Sequence, residues 1–220
     1  EVPVFSSSSA HLAISAGAHR LELNRANSYP QGGLTPSLSD LEALSSYSTV
    51  PLRVMIRPRG PPPPLVGEDD SGSTTTTTTT TPDFIYSDAE MEEMRERIKE
   101  FVGSGLLRRE RGDGFVFGVL RRILEDKGKA VVVVDVERNR ELVRLAGGLA
   151  CVFHRAFDDI LGTQGATPEE ALADLHHCGF HGLLTSGGPG SAADHTETLA
   201  RIVRSAPERI REVIIGGGVR

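Results

Sequence analysis

Leu52-Arg53-Val54-Met55-Ile56-Arg57-Pro58-Arg59-Gly60 is a strand-length apolar run that ends abruptly in two arginines, a proline and a glycine. The same pattern recurs along the chain. Val2–Phe5, Arg20–Leu23, Gly114–Leu120, Ala150–Phe153, Gly182–Leu184 and Glu212–Ile215 are each short and rich in Val, Ile, Leu or Phe. Near-continuous apolar character, rather than strict alternation, is expected of parallel strands covered by helices. Ala130–Val136 is a further run, readable as an eighth strand or as part of a crossover connection.

Helices are expected between these runs. Thr35-Pro36 precedes Leu38, Leu41 and Leu44, a cap and first-turn proline ahead of an apolar stripe. Ser87-Asp88-Ala89-Glu90 has capping-box spacing before Met91, Met94, Ile98 and Phe101, a face that reads as helical core rather than a thioether metal pair. Thr167-Pro168-Glu169-Glu170 repeats the logic, and another helix is expected from about Thr196. Repeated strand and helix units predict an α/β protein with a parallel sheet. The first strand is followed by Ser6-Ser7-Ser8-Ser9, not by a glycine-rich dinucleotide turn, which favours a barrel of the TIM type over an open doubly wound sheet.

With 220 residues, 38% of them apolar and 25% charged, the chain predicts one globular domain spanning 1–220. Residues 61–82, four prolines followed by acids and a threonine run, are compositionally foreign and read as a disordered insertion. The net charge of −6 argues against nucleic acid or an anionic membrane as partner. No apolar run approaches the roughly 20 residues of a membrane helix. Two cysteines, Cys151 and Cys178, allow no disulfide framework and suggest a reducing compartment. The barrel size usual for this fold is ~250 residues, and the chain stops on the Gly216-Gly217-Gly218 run. We therefore expect the last β/α unit to be missing from this chain.

Polar residues gather at the carboxyl ends of the runs, where a barrel builds its site. They are Glu22 and Asn24, Arg57 and Arg59, His154, Arg155 and Asp158, and Ser186 with Gly187. Arginine forks and glycine turns suit a small anion, which assigns Arg57, Arg59, Arg155, Ser186 and Gly187 to binding. Glu22, His154 and Asp158 are candidates for proton transfer. Each has a structural alternative: an ion-pair network for Glu22, Arg57 and Arg155, a capping role for Asp158, a satisfied core position for His154. Whether Arg57 points into the barrel or toward the helices is open. His176, His177, His181 and Cys178 match no zinc spacing and read as a solvated turn on the opposite rim.

In order from end to end, Ala18-His19-Arg20-Leu21-Glu22-Leu23, Gly32-Gly33-Leu34-Thr35-Pro36-Ser37, Val54-Met55-Ile56-Arg57-Pro58-Arg59-Gly60, Asp83-Phe84-Ile85-Tyr86-Ser87, Phe153-His154-Arg155-Ala156-Phe157-Asp158 and Leu184-Thr185-Ser186-Gly187 resemble the CutC copper homeostasis family. The resemblance implies a TIM-type barrel in the cytosol, often self-associating, with copper as its ion. It also implies Cu(I)-binding cysteines on the first and second strands. Here those positions are Pro3 and Asn24, neither of which supplies the soft sulfur Cu(I) prefers, so no metal ligand is assigned. Three functions follow as expectations: a copper homeostasis protein, an enzyme acting on a small anion at the barrel mouth, or a non-catalytic oligomeric scaffold.

Overall fold

A computed structural model describes residues 1–62, 66–68, 74–76, 83–124, 130–163 and 166–218. Seven strands, numbered along the chain, form one parallel sheet: β1 (Val2–Val4), β2 (Leu21–Leu23), β3 (Leu52–Met55), β6 (Gly114–Phe117), β9 (Ala150–Phe153), β10 (Gly182–Thr185) and β11 (Glu212–Ile215). Their spatial order is their chain order, as in a TIM-type barrel, and the sheet curls. The curl is visible in an ion pair. Arg53 on β3 reaches Glu212 on β11 at 3.4 Å, although β6, β9 and β10 lie between them in the sheet.

Side-chain alternation gives the sheet two apolar layers. Leu52, Val54 and Ile56 of β3 and its extension, Phe115 and Phe117 of β6, and Cys151 and Phe153 of β9 face the helices. Met55, Val116 and Val152, with Leu184 and Ile214, fill the concave side. Arg57 shares its parity with Met55, so it extends the concave face at its carboxyl end. Burying each large side chain of these layers stabilises the fold by roughly 1.5–3 kcal/mol.

The helices are α1 (Ser7–Ser15), α2 (Leu38–Ser45), α3 (Asp88–Gly103), α4 (Val136–Leu145), α5 (Ala156–Leu161), α6 (Pro168–Cys178) and α7 (Thr196–Ser205). Ser37 with Asp40 and Ser87 with Glu90 form the capping boxes that start α2 and α3. The serine run after β1 is a third box, Ser6 with Ser9, opening α1. Sequence reading took that run only as the absence of a nucleotide turn. No described helix is long and apolar enough to cross a membrane.

Among the described residues two antiparallel strand pairs stand outside the main sheet. Ala130–Val134 (β8) is not an eighth strand of the main sheet but part of the crossover connection between β6 and β9, where it pairs antiparallel with β7 (Leu120–Leu124). The Gly114–Leu120 run accordingly splits. The Leu120 amide is diverted to the Phe84 carbonyl at 2.9 Å, and Gly118 packs so closely on His154 that a Cβ would sit 2.8 Å from Nδ1. Most of 61–82 lies outside the described residues. Within it, β4 (Val66–Glu68) and β5 (Thr74–Thr76) pair antiparallel.

Candidate functional site

The mouth is built at the carboxyl ends of β2, β3, β9, β10 and β11. On β2, Glu22 and Asn24 are both buried, and the Asn24 amide donates to the Glu22 Oε1 at 3.0 Å. Burial, and secondarily the Glu1 carboxylate, push the Glu22 carboxyl up to about 7 against the pull of that hydrogen bond. Asn24 Oδ1 has no hydrogen-bond partner within the protein. It lies against Gly33, where φ is +88° and a Cβ would come within 2.1 Å of it. Only glycine fits both demands.

Arg57 settles the question of direction. Its guanidinium donates to the Gln31 carbonyl, to the Gly33 carbonyl at 3.2 Å and to Asp83 at 2.6 Å, and stacks 5.1 Å from the Phe84 ring centroid. Arg59 turns away, bonding Glu90 at 2.6 Å and the Asp83 and Ile85 carbonyls at 2.8 and 2.9 Å. The two arginines sit before the 61–82 stretch and grip the chain where it returns.

His154 packs on the same Phe84 ring, with centroids 4.6 Å apart. Its Nδ1 accepts the Ala156 amide at 3.3 Å, so the neutral ring carries its proton on Nε2, which is buried and unpartnered within the protein. Burial first, then Arg57, push its pKa down to about 3. At neutral pH His154 is therefore uncharged and offers a buried N–H donor.

Asp158 accepts from the Thr185 hydroxyl, from the Ser186 amide at 3.1 Å, from the Ser186 hydroxyl at 2.8 Å and from Arg155 Nε at 2.8 Å. A carboxylate so fully engaged holds Arg155, Thr185 and Ser186 in place. Arg155 Nη2 also reaches Ser186 at 2.9 Å and the Gly190 carbonyl at 3.1 Å. Gly187 follows with φ of +82°, its amide bonded to the Thr185 hydroxyl at 2.8 Å.

Sequence reading missed Asp83, Phe84, Thr185 and Asp159 as site residues. Asp83 and Phe84 lay within a recognised motif, directly after the foreign stretch, and that was the available signal. The Asp159 carboxyl is raised to about 6, by desolvation and then by the Asp83 and Asp158 carboxylates. The residue is exposed overall, so water screens part of that effect.

The residues do not fit a thiolate copper centre. Pro3 and Asn24 stand at the two expected cysteine positions, and Pro3 carries no donor side chain. Cys151 and Cys178 are free and buried in the layer between sheet and helices, and burial pushes both thiols up to about 12. Among the described residues no group of three or more His, Cys, Asp or Glu side chains is arranged for a metal. His181 lies away from the mouth, before β10, its Nδ1 accepting the Cys151 amide at 3.2 Å.

A family model described as CutC family matches residues 1–62 and 76–220. A Xanthomonas campestris protein named family protein CutC is 35% identical over 219 residues, covering 100% of this chain and 73% of that protein. The copper homeostasis protein cutC homolog of Drosophila melanogaster is 33% identical over 220 residues, 100% of this chain and 68% of that protein. Among solved structures, a CutC copper homeostasis protein of Streptococcus agalactiae aligns at a TM-score of 0.71 and 26% identity, over 99% of this chain and 87% of that one. Fold, motif order and these matches agree, and the chain belongs to the CutC family.

Proposed function

We propose that this chain serves copper homeostasis, the role for which its relatives are named, by binding a small anionic molecule at the barrel mouth rather than by holding Cu(I) on its own thiolates. One observation carries the reading. Of seven buried side-chain atoms without a hydrogen-bond partner among the described residues, Asn24 Oδ1, Arg57 Nε, Asp83 Oδ1, Tyr86 OH and His154 Nε2 belong to the mouth and the segment clamped to it by Arg57, with Arg59 3.7 Å from Asp83 Oδ1. An unmet buried polar group costs about 1–3 kcal/mol. Clustering of such groups in one place is what a ligand site requires, since the ligand supplies the missing partners. Arg57 and His154 contribute N–H donors suited to an oxyanion, while Asn24 and Asp83 contribute acceptors for a hydroxyl or amine.

An enzyme acting on the same ligand is the second reading, favoured by Glu22. A carboxyl held near neutrality and hydrogen-bonded to the mouth's Asn24 is poised to give or take a proton. On either reading residues 61–82 are an insertion beside the mouth rather than part of the barrel, in keeping with a family match that skips 63–75. The free cysteines suit a reducing, cytosolic setting.

The test is thermal denaturation against a panel of small carboxylates and phosphates. At least one should raise the melting temperature of the wild type and leave Arg57→Ala and His154→Gln unmoved. Equal shifts in all three proteins would refute the assigned site.

A further inference from the structure

The mouth has two halves, and the second half carries a more specific assignment. Beside Arg155 lie two glycine turns: Ser186-Gly187-Gly188-Pro189-Gly190 after β10, and Gly216-Gly217-Gly218 after β11. Gly187, Gly188, Gly190, Gly217 and Gly218 all have positive φ, between 74° and 152°. The turns are locked together, the Ala192 amide bonding the Gly217 carbonyl at 2.9 Å. They are also closely approached by side chains. A Cβ on Gly217 would sit 3.1 Å from the Ser186 Cβ and 3.3 Å from Arg155 Nη1, and one on Gly218 would sit 2.6 Å from Ser191 Oγ.

Arg155 itself is held by two of its three nitrogens. Nε binds Asp158 and Nη2 binds Ser186 and Gly190, while among the described residues Nη1 donates to nothing. Among the same residues the amides of Gly188, Gly190, Gly217 and Gly218 also have no protein acceptor. A guanidinium fixed in orientation with a spare N–H, over side-chain-free turns whose amides are unspent, is the chemistry that takes a tetrahedral oxyanion. A planar carboxylate would use fewer of these donors.

We propose that the Arg155 half of the mouth is a phosphoryl subsite, so that the ligand is a small phosphorylated molecule with its phosphoryl group at Arg155 and the glycine turns. Its remaining polar groups meet Asn24, Arg57 and His154. This deepens the anion-binding reading above and rests on it only for the half formed by Asn24, Arg57 and His154.

Inorganic phosphate is the probe, titrated calorimetrically at fixed ionic strength against chloride. Wild type should bind it saturably at millimolar concentration or below. Arg155→Ala should weaken binding at least about tenfold, the loss of one charge-assisted hydrogen bond, with Arg155→Lys intermediate because it keeps charge without the fork. Arg97→Ala, which removes a partly exposed arginine paired with Glu100 on α3 and outside the mouth, should leave phosphate affinity within about twofold, which controls for general charge. Melting temperatures without phosphate identify any variant that fails to fold, and Arg155→Lys then decides. No saturable binding by wild type, or unchanged affinity in folded Arg155→Ala and Arg155→Lys, would overturn the subsite. A carboxylate that still raises the melting temperature through Arg57 and His154 would leave the broader reading standing.

Discussion

Arg57 Nη2 and Asp83 Oδ2 meet at 2.6 Å, joining the last residues before the 61–82 stretch to the first after it. Arg59 repeats the join at the Asp83 and Ile85 carbonyls. The excursion between them therefore leaves and re-enters the fold at one clamped point. Because the guanidinium is almost fully buried, removing one partner strands a charge and costs more than breaking an exposed ion pair. A double-mutant cycle with Arg57→Ala and Asp83→Ala, read by urea denaturation, should give a coupling of about 1–3 kcal/mol. Additive single effects would show that the clamp does not hold the two segments together.

If the clamp sets the geometry, the excursion is dispensable for stability. Replacing residues 63–75 with a short Gly/Ser linker should change unfolding free energy by less than about 1 kcal/mol, since loop-closure entropy varies slowly with length. Loss of cooperative unfolding in that variant would mean that the stretch contributes to the core.

Two of the buried titratable groups of the mouth, Glu22 and His154, pull stability in opposite directions with pH. Glu22 has its pKa raised from 4.5 to about 7, so the folded state keeps a proton that the unfolded state releases, and stability is lost as pH rises through that window. Glu22→Gln, which resembles the protonated form, should match wild type near pH 4.5 and exceed it by about 3 kcal/mol at pH 8. His154 is lowered from 6.5 to about 3, so the unfolded state takes up the proton first and stability falls as pH drops below 6.5. His154→Gln should flatten that acid limb. Stability profiles with unchanged slopes in both variants would contradict the burial argument.

Gly33 should tolerate no side chain. Gly33→Ala combines a positive φ with a 2.1 Å overlap on Asn24 Oδ1 and should cost more than the ~1 kcal/mol of backbone strain alone. Asn24→Ala in the same chain should restore the steric part and leave the backbone part. A Gly33→Ala protein as stable as wild type would place Asn24 elsewhere.

Much of this was readable from residues. The parallel sheet followed from apolar runs such as Leu52–Ile56, because strands covered on both sides cannot afford polar alternation. The polar strand ends marked Arg57, His154, Arg155 and Ser186, which the fold brings to the carboxyl ends of neighbouring strands. What stayed hidden depended on contacts far apart in sequence. Ala130–Val134 could not be distinguished from a sheet strand, since its partner Leu120–Leu124 was hidden inside a longer apolar run. The hydrogen bonds that Asp158 accepts from Thr185 and Ser186, 27 and 28 residues away, could not be read from its local sequence. The state of His154 is set by Phe84 and Arg57, and no local pattern encodes them.

The copper question can be separated from the mouth. A chromophoric Cu(I) chelator should retain its metal when the chain is added at equal concentration, and Cys151→Ser with Cys178→Ser should behave identically. Withdrawal of copper that disappears in the double variant would restore a thiolate role to cysteines that are now buried and protonated.

The central claim is that the unpartnered polar groups around Arg57 and His154 hold a small anionic molecule. Mass spectrometry of small molecules released on denaturing freshly purified protein tests it most directly. A stoichiometric anionic compound from the wild type, lost from folded Arg57→Ala and His154→Gln, is the predicted result. The same compound recovered in equal amount from both folded variants would contradict the account.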